Sequence, residues 1–454
     1  MATDPAVSIP EAAPAARAGS GTARSAGLRY GALFGPAVFG VTAAGVALPD
    51  VAAALHATPS AAAWVLTAHA LALGVGTALF GRLADSRGVR ASLLIGSLVL
   101  AVGAVICLFA PNLGVLVAGR FVLAAGSGAM TSGALALTAS SEPAARPKVL
   151  AGFGATMAVF SASATLAGGV FTQWVTWRIT LVLPALSLLV VPLCLQAASV
   201  RPGSGRKLDL PGAALLTAAA TSFLLLIQAS ALSLSTTVVV ALAAALVVAT
   251  AGLVWRVRTA AASFVPRPLV KDSMFLRAAV TGIGVYAGLF AAMYAVPQIL
   301  VREHQWSVLA IGTWLLPGAV VGAVLSRLAG RLPAGTGGSR LLAAIAAATA
   351  GVLATSLAGA PAPALLIVGA SLGFAAFAVT QVVTTALMSA RVEPALRGGA
   401  MGLLNLTFFV GGGVGSATAG ALAKSMSLST ALGIVAAFPL IACLAALTLT
   451  QRER

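Results

Sequence analysis

Twelve stretches of 20 to 50 residues in this chain contain no Asp, Glu, Lys or Arg. A helix needs about 20 apolar residues to cross a bilayer, so these stretches constrain the fold more than any other feature. They are 30–49, 57–81, 91–119, 121–141, 149–177, 179–200, 210–255, 278–301, 305–326, 341–390, 398–423 and 425–451. Two are double length. The first is broken by the polar segment 230–237 and the second by Gly359, Pro361 and Pro363, which suit a tight turn. Pro111 and Asn112 separate the third and fourth helices, which leaves Arg120 inside the fourth. Fourteen spanning helices result, numbered spans 1 to 14 in chain order. Membrane β-barrels would instead show short alternating segments.

Composition agrees with that count. Of 454 residues 59% are hydrophobic and 8% charged, whereas soluble domains carry roughly a quarter of their residues as charges. The net charge of +17 would fit nucleic acid only if the basic residues shared one face; here they are strewn between the apolar runs. Cys107, Cys194 and Cys443 all lie inside apolar runs, with no metal or disulfide spacing. The chain is therefore expected to be an all-α integral membrane protein.

Basic residues set the expected orientation, because cytoplasmic loops are enriched in Lys and Arg. With the N-terminus inside, 23 of the 27 Lys+Arg fall on the cytoplasmic side. Arg178, Arg302 and Lys424 face outward, and Arg120 is buried. Both termini are then cytoplasmic, in a multi-pass protein of the cell (plasma or inner) membrane. Residues 1–27, with Pro5, Pro10 and Pro14 among small residues, are expected to be disordered. They do not form a cleavable signal, since the apolar stretch after them is long enough to span.

Two short segments recur. Glu142-Pro143-Ala144-Ala145-Arg146 returns as Glu393-Pro394-Ala395-Leu396-Arg397, and Gly81-Arg82-Leu83 as Gly330-Arg331-Leu332, at offsets of 251 and 249 residues. Each copy falls in an equivalent loop. The implied plan is two six-helix halves of like orientation, 28–200 and 275–450, with an inserted helix pair at 201–258. A cytoplasmic linker at 259–274 and a tail at 451–454 complete it. Parallel halves that rock about a midplane site are one plan used by carriers.

The second loop reads Gly81-Arg82-Leu83-Ala84-Asp85-Ser86-Arg87-Gly88-Val89-Arg90. This resembles the loop signature of the major facilitator superfamily. Ala47-Leu48-Pro49 followed by Trp64, Arg120 in span 4, Asp209-Leu210-Pro211-Gly212 and Arg397-Gly398-Gly399-Ala400-Met401-Gly402 are similar to its fourteen-helix drug:proton antiporter branch. The resemblance implies the major-facilitator fold, two six-helix halves plus the inserted pair. It also implies multidrug efflux and antibiotic resistance as the activity, and a small molecule with protons as partners. It covers essentially the whole chain.

The loop has a physical reading. Gly81 and Gly88 permit a sharp turn, and Asp85 suits a helix N-terminus, which the resemblance places at the start of span 13. Arg87 and Arg90 could pair with Glu142, giving a latch that one state makes and the other releases. The second copy has Ala334 where Asp85 would fall, so the latch is one-sided. The chain also departs from the family pattern. Gly40 stands where many relatives carry an Asp, Leu123 and Ala124 where Gln and Gly follow the span-4 Arg, and Ala164-Thr165 where Gly-Pro precedes Gly168-Gly169.

Coupling to protons needs a buried titratable group. All ten acids lie outside the membrane interior, so the candidates are His69, Asp50 and Glu303. His69 lies about 7.5 Å beyond Trp64 at 1.5 Å per residue, and an imidazole titrates near neutral pH; a hydrogen-bonded neutral ring is the other reading. Arg120, about 12 Å beyond Asn112, has no intramembrane acid to pair with. Backbone carbonyls of span 1, which the resemblance favours, or an anionic substrate remain as partners. By resemblance the cavity is lined by spans 1, 4, 9 and 12. Its candidate residues are Thr42, Thr131, Tyr286, Phe290, Met293, Tyr294, Gln298 and Gln381, with Asn405 on span 13.

Other classes fit less well. An ATP-driven pump needs a nucleotide fold, and none of the four Lys lies in a Walker loop. Gly369-Ala370-Ser371-Leu372-Gly373 matches a hydrolase elbow, but no His follows it. No filter or charge ring suggests a channel. The sequence therefore predicts no enzyme and no cofactor or metal. It predicts a monomeric, proton-coupled carrier exporting a hydrophobic or amphipathic compound by alternating access. The alternatives are facilitated diffusion or uptake of a small metabolite without proton antiport, and a non-transporting membrane protein on the same scaffold.

Overall fold

The computed structural model describes residues 15–139, 141–142, 144–199, 203, 205, 209–229, 232–260, 263–265, 267–359, 361–391 and 397–449. Thirteen helices are long and apolar enough to cross a membrane, and a fourteenth is bent by 41°. Spans 1 to 5 are Thr22–Ala54, Pro59–Arg87, Val89–Leu108, Leu113–Thr138 and Gly152–Trp174. Span 6 is the bent one, Trp177–Leu189 with Val191–Ser199. Spans 7 and 8 are Leu210–Ile227 and Thr236–Thr259. Spans 9 to 14 are Ser273–His304, Val308–Arg331, Gly335–Ala358, Pro363–Met388, Ala400–Leu422 and Leu428–Leu447.

The first helix begins at Ala15, which corrects the expectation of disorder through residue 27. The prolines end at Pro14 and Ala-rich sequence follows, a composition with high helix propensity. Residues 1–14 lie outside the described residues. Span 1 is not uniform. Gly35–Gly40 forms a 3-10 segment, where Pro36 lacks an N–H and the two glycines weaken the α-helix. Span 6 carries a similar break over Leu183–Leu189, which includes Pro184. These two interruptions matter for the site.

Packing shows the repeat directly. Span 2 packs on 4, 3 on 4 and 1 on 5; span 10 packs on 12, 11 on 12 and 9 on 13. Each pair in the first set matches one in the second under a shift of eight spans. The two sets meet through spans 2 and 13, their counterparts 5 and 10, and spans 1 and 9.

That contact is not even along the bilayer. At the end bearing Asp50, Gly169 and Thr165 of span 5 abut Leu309 and Gly312 of span 10. Nearby, the Leu309 amide donates to Gln173 at 3.3 Å. Thr67 and Ser416 share a hydroxyl hydrogen bond at 2.7 Å between spans 2 and 13. Toward the end bearing Arg87, spans 2 and 13 stay together, with Gly402 beside Ala78, while spans 5 and 10 part. Gly154 of span 5 faces open space, Val159, Val324 and Leu328 are exposed, and Gly81 and Gly330 meet only residues of their own set. The halves are closed at the Asp50 end and, between spans 5 and 10, open at the other.

Spans 7 and 8 lie to one side. They pack on each other, and span 7 also touches spans 2 and 13. Ala249 is the one buried residue of span 8, so nearly all of that helix is left to face lipid.

Candidate functional site

Arg120 is fully buried in the middle of span 4. Its guanidinium donates to three carbonyls: Leu181 at 2.8 Å, Val65 at 3.4 Å, and Gly40. Gly40 closes the 3-10 segment of span 1, and Leu181 lies just before that of span 6. Tightened helix segments redirect carbonyls away from the regular α pattern, which makes them available to a side chain. The planar fork reaches three spans at once, as only Arg can. Of the two partners weighed for Arg120, the structure shows the carbonyls, from spans 1, 2 and 6 together.

His69 is fully buried beside this arrangement, and neither ring nitrogen has a hydrogen-bond partner. A Cβ on Gly40 would overlap the His69 imidazole, so the glycine standing where relatives carry an acid leaves room for that ring. A proton on His69 would place a second cation beside Gly40, whose carbonyl already serves Arg120. Thr42 donates to the carbonyl of Val38 in its own helix. Thr131 bonds Thr77 at 3.1 Å and the carbonyl of Gly128 at 2.9 Å, joining spans 2 and 4.

The second set is built differently. Gln381 of span 12 donates to Tyr286 of span 9 and, at 3.0 Å, to Asn405 of span 13. One amide thus joins three spans. Around Tyr286 stand the rings of Phe377 at 4.7 Å, Phe408 at 5.2 Å, Phe409 at 5.4 Å and Phe290 at 6.4 Å between centroids. Such a box offers aromatic area and a few placed polar atoms without a charge, the usual make-up of a small-molecule site. The sequence reading named Tyr286, Phe290, Gln381 and Asn405 but missed Phe377, Phe408 and Phe409. Phe374 and Phe377, three residues apart on span 12, carry a helical spacing that could have found the first; the adjacent Phe408 and Phe409 carry none.

Three other cavity candidates belong to the closed end. Tyr294 donates its hydroxyl to the carbonyl of Pro59 at 2.7 Å. Gln298 donates to Tyr294 in its own helix, and Met293 packs on Gly45 of span 1. Asp50 is half-buried here, bordering a cleft of about 290 Å³ with Thr172, Gln173, Trp306 and Ser307. Glu303 is exposed.

At the open end, Gly88 adopts φ 91°, a backbone state that favours glycine and makes the turn into span 3. Asp85, Arg87, Arg90 and Glu142 are all exposed. The expected pairing of Arg87 and Arg90 with Glu142 is not made. One ion pair exists among the described residues, and it joins Arg256 to Asp209. Solvated charges gain little by pairing, so nothing draws the loop residues together while this end stays open. The loop is held at Ser86, whose carbonyl accepts from the Gly205 amide at 3.0 Å, and at Arg82, which donates to the carbonyl of Ser263 at 2.7 Å.

That contact leads to a clasp the sequence reading missed. Asp209, buried at the start of span 7, accepts from the amides of Gly212 and Phe264 at 3.0 and 2.8 Å and from Arg256 of span 8. Burial works against the charge, but these hydrogen bonds and the guanidinium hold the carboxyl below its usual range. An Asp followed by Leu-Pro-Gly reads as a helix N-cap; its partner 47 residues away has no local signal.

Comparisons with known proteins converge. The model of the Major Facilitator Superfamily matches residues 31–336 and 278–454. The multidrug resistance protein Stp of Mycobacterium tuberculosis is 26% identical over 390 residues, 83% of this chain and 71% of that protein. The cephamycin export protein CmcT of Amycolatopsis lactamdurans is 35% identical over 197 residues, 41% of this chain and 40% of that protein. The puromycin resistance protein pur8 of Streptomyces alboniger is 34% identical over 178 residues, 38% of this chain and 35% of that protein. A POT family transporter solved in complex with 5-aminolevulinic acid aligns with a TM-score of 0.67 over 94% of this chain and 96% of that one, at 13% identity. That likeness is one of fold.

Proposed function

Since the chain belongs to the major facilitator superfamily, we propose that it is a secondary carrier exporting amphipathic organic compounds, antibiotics among them, by alternating access. One observation carries this reading: the uncharged Tyr286–Gln381–Asn405 network inside a ring of phenylalanines. Amphipathic compounds match it, with apolar area for the rings and a polar group for the amides. The names of the relatives, which speak of multidrug resistance and of cephamycin export, agree with that chemistry.

The lysine and arginine bias places the Arg87 end in the cytoplasm. On that orientation the state is inward-facing, closed outside. Outside protons act on the cycle at Asp50. The outer seam closes over this carboxyl, and burying a charge is costly, so a proton taken from outside favours return to the inward-facing state. His69 fills space beside Gly40, and Glu303 stays in water. The carrier works as a monomer.

The test uses everted membrane vesicles and radiolabelled puromycin or lincomycin, compounds for which relatives are named. A vesicle lumen made acid relative to the medium should drive accumulation as protons leave it, and Asp50→Asn should uncouple it while His69→Ala should not. Accumulation that ignores the gradient would remove proton coupling. Accumulation of neither compound would remove this substrate class.

A further inference from the structure

The inserted pair has no counterpart in the repeat, yet it places one polar side chain in the seam between the halves. At its inner end span 7 is tied to spans 1–6. The Asp209 clasp holds Phe264, Arg82 of the loop holds Ser263, and the amide of Gly205 donates to Ser86 at 3.0 Å. Along its length Leu224 packs with Trp64, Ala68 and Leu71 of span 2. At its outer end it crosses to the other half. Gln228, fully buried, donates from Nε2 to the carbonyl of Ala417 on span 13 at 3.1 Å. Gly420 of span 13 lies against this amide and against Ala63 and Ser60 of span 2. Gln228 thus sits where the outer ends of spans 2 and 13 close on each other.

Half of this amide is left over. Its Oε1 is buried with no hydrogen-bond partner. The orientation of the amide follows from its neighbour, because only the NH2 group can bond a carbonyl. A buried acceptor left unmade costs more than one formed hydrogen bond returns. In an open outer vestibule, water would satisfy both ends.

We propose that Gln228, supplied by the inserted pair, is a gating residue of the outer seal that favours its opening. The seal is thereby kept from closing too firmly for the cycle to proceed. The proposal rests on the reading of this chain as an alternating-access carrier, whatever its cargo.

Labelling from outside reads the gate without any transport assay. Ser60→Cys, placed in a chain whose Cys107, Cys194 and Cys443 are changed to Ala, reports opening of the seam to a membrane-impermeant maleimide. Gln228→Met keeps the bulk and removes the unpaired acceptor, and exposes apolar surface when the seal opens. Both effects favour closure, so labelling should slow by about fivefold. Gln228→Asn is too short for Ala417 and leaves both amide ends unmade, so labelling should quicken.

Misfolding would speed labelling, so slowing in Gln228→Met cannot arise from it. As a second measurement, Gly154→Cys, which faces open space at the inner end, should label in everted vesicles at the parental rate or faster when Gln228 is Met. Unchanged or faster outer labelling in Gln228→Met overturns the proposal, as does slower labelling in Gln228→Asn or slowing at both ends. If vesicles fail to accumulate puromycin or lincomycin while the labelling shifts as stated, the substrate class fails and the gating role stands.

Discussion

Thr131 and Gln381 are separated by 250 residues, within the 249 to 251 of the repeat, and they occupy matching places on spans 4 and 12. Their surroundings differ. Thr131 spends its hydroxyl on Thr77 and Gly128 within its own set of helices, and the nearby charge of Arg120 is taken up by three backbone carbonyls. Gln381 joins Tyr286 and Asn405 among four phenylalanine rings. The comparison teaches a division of labour. The interior of the first set holds its own spans together by backbone carbonyls and hydroxyls, while that of the second gathers neutral polar groups among rings, which we propose take a guest.

The largest expected effect comes from breaking the first interior. Arg120→Lys loses the fork that reaches three spans and leaves buried carbonyls under-served. It should cost roughly 3 kcal/mol, seen as lost monodisperse protein in detergent and a lower Tm. Next is Gly40→Ala, whose methyl group would overlap the His69 ring. Overpacking of this kind costs about 1–3 kcal/mol, and a second change, His69→Ala, should restore most of the Tm. If the double variant is no more stable than Gly40→Ala, the clash is not the cause.

Changes to the second interior should separate function from stability. Gln381→Ala leaves Tyr286 and Asn405 without their shared partner but empties a site that is only partly buried. Transport of puromycin should fall by about tenfold with Tm nearly unchanged. A parallel loss of Tm would make the network structural, like that around Arg120.

The smallest effect belongs to the clasp that anchors the inserted pair to the first set. Asp209 is held below the usual carboxylate range, so its contribution to stability is present in full above the ordinary pKa of 3.8. It is lost as pH falls through the lower folded value. A Tm profile from pH 7 downward should show that loss setting in below pH 3.8 in the parent protein, and Asp209→Asn should flatten it.

Much of this was legible in the sequence. Charge-free runs located the fourteen spans, because lipid tolerates no unpaired charge. The pair of offsets announced the repeat, and the lack of any intramembrane acid left Arg120 to backbone carbonyls or an anionic substrate. What could not be read depends on helix rotation and helix breaks. The 3-10 segments that free Gly40 and Leu181 arise from Gly and Pro placements found at many other positions without such an effect. His69 against Gly40, and Gln228 against Ala417, are contacts between distant spans with no periodic signal. The same holds for Tyr294, named for the cavity yet bonded to Pro59 at the closed end.

The central claim is that guests bind in the second interior and not in the first. The most direct measurement is the affinity of purified protein for puromycin and lincomycin, compared between Gln381→Ala and its repeat counterpart Thr131→Val. The account predicts about tenfold weaker binding for Gln381→Ala, the worth of a hydrogen bond or two, and no change for Thr131→Val. Weaker binding in Thr131→Val with parental affinity in Gln381→Ala would contradict it.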